Sequence, residues 1–178
     1  MIKNYTSNVP PERSVNHIEK VLVSHGAKNI MKTYTPEARL GGLYFVISID
    51  GKDRPFKVPA RVERVEARLK SLVKKPHRGT MERIAEQAER TAWKLLADWV
   101  DIQMSLIDLD QAEFLEVFLP YFSTGKEQTF FDKIKADSMR PQSEAIAVSR
   151  VQDRVVPEFN AGVDQEFGPN GKSNIAFL

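Results

Sequence analysis

The stretch Leu43-Tyr-Phe-Val-Ile-Ser-Ile-Asp-Gly-Lys52 decides the fold. Leu43, Phe45, Ile47 and Ile49 alternate with Tyr44, Val46 and Ser48, the period of a strand with one buried face. Asp50-Gly51 supplies two residues that accept positive φ, as a two-residue type I′ hairpin requires. A partner strand follows over about 52–58. Pro55 lies inside it, and a residue without an N–H belongs on an edge strand. Upstream, Lys28 to Tyr34 alternates as a third strand, with Ile30, Lys32 and Tyr34 on one face. Pro36 and Gly41-Gly42 make the intervening segment a loop.

Helices flank these strands. Pro10-Pro11 can open a helix, where the first N–H groups lack partners in any case. Val15, Ile18 and Leu22 follow at helical spacing, and Gly26 fits a left-handed end, so a helix is predicted over about 10–25. Val62, Val65, Leu69 and Leu72 predict another over about 60–74. Pro76 to Gly79 breaks the chain, and Thr80 is the expected cap of the next helix.

From Met81 the apolar positions Met81, Ala85, Ala88, Ala92, Leu95, Trp99, Ile102 and Leu106 form a heptad seam. A flanking stripe (Trp93, Leu96, Val100, Met104, Ile107) begins at residue 93. This pattern predicts one long helix, half-exposed from Met81 to about Arg90 and covered on two sides beyond. Asp108 or Asp110 is the expected cap of an aromatic helix over about 111–122 that returns as a hairpin. A short helix over about 130–139 follows. Periodicity fails from Arg140 onward, so 140–178 reads as a mostly irregular tail. The expected class is α+β: a small three-stranded antiparallel sheet with flanking helices, packed on a long helix and a returning aromatic helix. The expected organisation is a basic αβββα domain at 1–76, a helical hairpin region at 77–139, and the tail.

The net charge of +2 hides an asymmetry: residues 1–78 carry net +9 and residues 79–178 net −7. Eight basic residues fall within 57–78, against Glu63 and Glu66. Lys57, Arg61, Arg64, Arg68, Lys74, Lys75 and Arg78 are the candidate contacts to a polyanion; the structural alternative is a solvated helix face. Cysteine is absent, which excludes disulfides, thiolate metal sites and a Cys nucleophile. The longest uncharged run, Leu40 to Ile49, is ten residues, too short to span a bilayer, and no apolar segment follows Lys3. A soluble, cytoplasmic protein is expected.

No catalytic set emerges. Gly125-Lys126 lacks the upstream glycine of a phosphate loop, and Glu127 stands where a Ser or Thr would hold magnesium. His17 and His25 are eight residues apart on one helix, about 12 Å, too far to share a metal. Both are expected at the surface, and Asp98 and Asp101 are expected on a solvated stripe with Arg90 and Lys94. Trp93 and Trp99, six apart, face different sides of their helix. Tyr34 and Tyr44 are the aromatic candidates on the sheet. No metal site or cofactor is expected, nor an enzyme. The chain ends in Ile175-Ala-Phe-Leu178, and Ile175, Phe177 and Leu178 are candidate partner contacts.

The order helix–three strands–helix over 10–74 resembles the double-stranded-RNA-binding domain. In that family a basic start to the last helix meets phosphates across a groove. Lys57, Arg61 and Arg64 occupy the matching place. The family's Gly-Pro-x-His loop is absent, and its Lys-Lys-x-Ala-Lys run is replaced by Val58-Pro-Ala-Arg-Val-Glu-Arg64. A second resemblance spans about 4–122. Asn4-Tyr-Thr-Ser-Asn-Val-Pro-Pro11, Ile18-Glu-Lys-Val-Leu22 with Gly26-Ala27, Phe56-Lys-Val-Pro-Ala-Arg-Val62, Glu89-Arg-Thr-Ala-Trp-Lys94 and Phe118-Leu-Pro-Tyr121 are similar to small phage and prophage accessory proteins encoded near replication and recombination functions. Those proteins have no assigned catalytic residues, so the resemblance transfers no residue roles. It implies a bacterial host and a non-enzymatic accessory protein; with the basic cluster, the expected function is binding of DNA or RNA. The alternative is a protein-binding module, such as a phage-encoded inhibitor of a host defence or nuclease complex. A host or phage protein and a second copy of the chain are admitted as partners; a membrane is not.

Overall fold

The computed structural model describes residues 2–75, 77–125 and 128–139. The element order is α1 (Pro11–Ser24), β1 (Ala27–Tyr34), β2 (Leu40–Ile49), β3 (Lys52–Pro59), α2 (Val62–Ser71), α3 (Thr80–Asp108), α4 (Phe114–Phe118), a 3₁₀ turn (Leu119–Tyr121) and α5 (Phe130–Ser138). The protein is α+β, as its pattern predicts. The sheet is antiparallel in the order β1-β2-β3. Asp50 and Gly51 adopt φ of 52° and 72°, the left-handed pair that the hairpin demands.

Pro55 costs the sheet nothing. Its carbonyl points to the outer edge of β3, where it accepts the Ser123 N–H at 2.9 Å. The N–H and C=O of one strand residue point the same way, so the missing N–H would also have faced that edge. Gly42 is required by close approach: a Cβ there would sit 2.7 Å from the Val58 carbonyl oxygen.

One face of the sheet is covered. Leu43, Phe45, Ile47, Phe56 and Val58 are buried on it, with Val15, Ile18 and Leu22 of α1. Tyr44, Val46, Pro55 and Lys57 on the other face are only half-buried, and Met31, the register partner of Tyr44, is exposed. Phe118 closes the core. Its ring lies 6.2 Å from Phe45, 6.4 Å from Phe56 and 5.4 Å from Trp99 between centroids.

Both α1 and α2 dock on α3, whose covered face departs from the expected seam. Ile84, Ala88, Thr91 and Ala92 are buried in its first half, and Trp93, Ala97, Val100 and Met104 in its second. At about 100° per residue these two sets point roughly half a turn apart. The first half is therefore not the exposed one. The core takes the flanking stripe from Trp93 onward, and leaves Leu95, Trp99 and Leu106 half-buried and Ile102 exposed.

Three helix ends differ from expectation. Gly79, with φ 76°, caps α3, while the Thr80 hydroxyl accepts the His77 N–H. Glu113 and Glu116 form the capping box of α4, so neither Asp108 nor Asp110 is its cap. The aromatic helix is only five residues long and passes into the 3₁₀ turn at Pro120, whose missing N–H cannot extend an α-helix. The tail 140–178, with Ile175, Phe177 and Leu178, lies outside the described residues.

Candidate nucleic-acid interface

The predicted cations divide into three groups. Lys57, Arg61 and Arg64 line one cleft of about 230 Å³ between β3, the start of α2 and the start of α5. Lys57 lies on the uncovered sheet face, opposite Tyr44. Arg61 precedes α2 with φ 51°. Its guanidinium carbon sits 5.9 Å from the Phe131 ring centroid, within cation–π range. Glu63, Thr129 and Asp132 complete the wall. The Thr129 hydroxyl donates to the Asp132 carboxylate at 2.7 Å. That bond, with Arg61 and Lys57 nearby, holds the Asp132 carboxyl below its ordinary range against partial burial. The cleft is thus mixed in sign, and α5 brings an acid that the sequence reading did not place there. No local signal could have placed it, because α5 follows Arg61 by some 70 residues.

Arg64 and Arg68 form the second group, exposed and one helical turn apart, about 6 Å of rise. Arg68 donates to the Ser71 hydroxyl at 3.4 Å. Their neighbour Lys70 is different: Glu66 pairs with it at 2.7 Å and with Arg39 at 3.2 Å. Lys74, Lys75 and Arg78 form the third group, exposed in the segment after α2. Among the described residues, Arg64, Arg68, Lys74, Lys75 and Arg78 make no ion pair. An unpaired guanidinium offers a fork of donors that matches two phosphate oxygens.

The histidines and aspartates singled out in the sequence meet elsewhere. His17 pairs with Asp101 at 2.8 Å and His25 with Asp108 at 3.1 Å, which ties α1 to α3. Asp98 accepts hydrogen bonds from the Asn4 amide and Lys94, with Lys3 at 3.5 Å. Burial opposes its ionisation, but these donors hold its carboxyl below the ordinary range. Asp98 and Asp101 therefore anchor the N-terminal segment and α1 rather than form a solvated stripe. The same N-terminal segment is held by Gln87, which donates to the carbonyls of Tyr5 and Ser7 at 2.7 and 3.1 Å. Among the described residues, no group of three His, Asp or Glu is arranged to hold a metal ion, and no helix is long and apolar enough to cross a membrane.

Comparison with protein-family models, with curated proteins and with solved structures finds no match.

Proposed function

We propose that this is a non-enzymatic accessory protein of phage type that binds DNA or RNA through the outer face of α2 and the segment after it. The observation that carries the reading is the exposed set Arg64, Arg68, Lys74, Lys75 and Arg78, unpaired among the described residues. Lys57 and Arg61 extend it toward the sheet. The two dominant forces on such a surface are phosphate attraction and counterion release, so binding falls steeply with salt. The element order of the first 74 residues supports the same surface, since the double-stranded-RNA-binding domain uses the start of the corresponding helix.

The test is anisotropy titration of labelled duplex and single-stranded DNA and RNA over a range of salt. Arg64→Glu with Arg68→Glu is the informative pair, because both side chains are exposed and neither touches the core. Arg61 is left intact, since it packs on Phe131. For duplex DNA the pair should flatten the slope of log K against log salt by about 2, close to 0.9 per lost phosphate contact. Unchanged binding by the folded double variant removes the proposal.

A further inference from the structure

The second half of α3 presents an apolar stripe that the described residues cover only in part: Trp99 packs on Phe118 and Tyr121, while Ile102 and Leu109 lie open. Leu95, Trp99, Ile102, Leu106 and Leu109 follow one another at spacings of 4, 3, 4 and 3. They continue the face that Ile84, Ala88 and Thr91 bury in the first half. Beyond Thr91 the core turns to the opposite face. Ile102 is left 51% exposed and Leu109 67% exposed, with Leu95, Trp99 and Leu106 half-buried between them. The heptad spacing shapes this stripe for a second helix.

Charge narrows what that helix is. From Leu95 to Gly125 the chain has six carboxylates and no Lys or Arg in 31 residues. Asp98, Asp101 and Asp108 are engaged toward the N-terminal segment and α1. Asp110, Glu113 and Glu116 remain exposed, and among the described residues no cation is paired to them. They follow directly on the stripe's end at Leu109. The stripe is therefore apolar at its centre and acidic at its rim.

Two occupants within reach fit poorly. A second copy laid symmetrically on the stripe would bring acidic rim against acidic rim. A second copy presenting its basic α2 would bring charge but little apolar surface, because Val62 and Leu69 are buried in its own core and Leu72 at the helix end is its one exposed large hydrophobic. Residues 139–178 carry four Lys or Arg against five Asp or Glu and so offer no net positive charge. We infer that the Leu95–Leu109 stripe of α3 is a docking surface for a basic amphipathic helix of another protein. This is a second binding activity, separate from the polyanion surface on α2. Leucines of the partner would fill the seam, and its Lys or Arg residues would meet Asp110, Glu113 and Glu116. Burial supplies affinity, and the charged rim supplies selectivity and the association rate.

The test uses the full chain and a short labelled peptide of leucine and lysine, patterned to place leucine along one helical face. The expected result is saturable binding that weakens with salt. Ile102→Glu together with Leu109→Glu should lower affinity about tenfold or more, since both apolar side chains leave the centre of the contact. This loss comes despite added negative charge, so a purely electrostatic contact would show the opposite sign. Both side chains are exposed, and circular dichroism confirms folding; Ile102→Gln with Leu109→Gln is the milder pair if the first does not fold. Asp110→Asn should weaken binding about two- to fivefold and reduce its salt dependence. Absence of binding at low salt overturns the inference, as does equal binding by the apolar double variant. Sedimentation showing a dimer of the wild-type chain that this variant abolishes also overturns it, in favour of a second copy.

Discussion

His25 holds two acceptors that a neutral imidazole cannot serve together. Its Nδ1 lies 2.6 Å from the Val21 carbonyl oxygen and its Nε2 3.1 Å from the Asp108 carboxylate. A neutral ring has one N–H, and the imidazolium has two. The hydrogen bond to Val21 is the larger cause that raises the pKa above 6.5; partial burial works against it, and Asp108 adds to it. The folded form therefore binds the proton more tightly than the unfolded chain. That contribution to stability is complete below about pH 6.5 and is lost as pH rises through the higher folded value. The melting temperature should fall as pH rises above about 6.5, and His25→Gln should flatten this fall. The His17–Asp101 pair lies half-open to solvent on the same seam between α1 and α3. A pH series of thermal melts on the wild type and the His25→Gln variant decides it. Neither pair was legible in the sequence: the partners lie 83 and 84 residues apart, and only the docking of α1 on α3 joins them.

The elements themselves were legible wherever a period and its punctuation agreed. The alternation from Leu43, the Asp50-Gly51 turn and Pro55 fixed the hairpin, because each acts over neighbouring residues. The covered side of α3 was not legible. A heptad seam shows which residues share a face, while its neighbours α1, α2 and the sheet decide which face is buried. Ala88 lies in the half expected to be half-exposed, whereas it is wholly buried and marks a close approach. Ala88→Leu should therefore cost about 1–3 kcal/mol by overpacking. Trp93→Ala should cost about 3–5 kcal/mol, since its side chain is wholly buried. Ile102→Gln, at an exposed position, should shift stability by no more than about 0.5 kcal/mol. Urea titrations of these variants would reverse the expected order if the seam face were the buried one. The candidate site divides in the same way: the cations of α2 showed as a local charge run, whereas Phe131 and Asp132 reach Arg61 through tertiary packing alone.

At the scale of the whole molecule, residues 1–138 form one compact unit, and an aromatic cluster joins its sheet to α3 and α4 beside the packing of α1 on the sheet. Phe118 touches both sides of that joint: Phe45 and Phe56 on the strands, Trp99 on α3, and Phe114 stacked at 4.5 Å within α4. Phe56 adds Phe122 at 5.8 Å, beside the bridge that closes the outer edge of β3. Charge is divided across the same unit, with exposed cations on α2 and carboxylates beside the apolar stripe of α3. The two proposed surfaces hold a fixed geometry only if the scaffold between them unfolds as one body. Phe118→Ala should cost about 3–5 kcal/mol, because it leaves a cavity among rings that cannot collapse onto it. The loss should register equally in the strands and in α3. Both tryptophans lie on α3, so their fluorescence reports the helix, while amide exchange at Leu43, Phe45 and Ile47 reports the sheet. In the variant the two probes should give the same free energy of opening, lowered by the same amount. A sheet that opens at unchanged free energy while tryptophan fluorescence shows α3 destabilised would mean that Phe118 serves the helices alone and the two surfaces ride on separable parts.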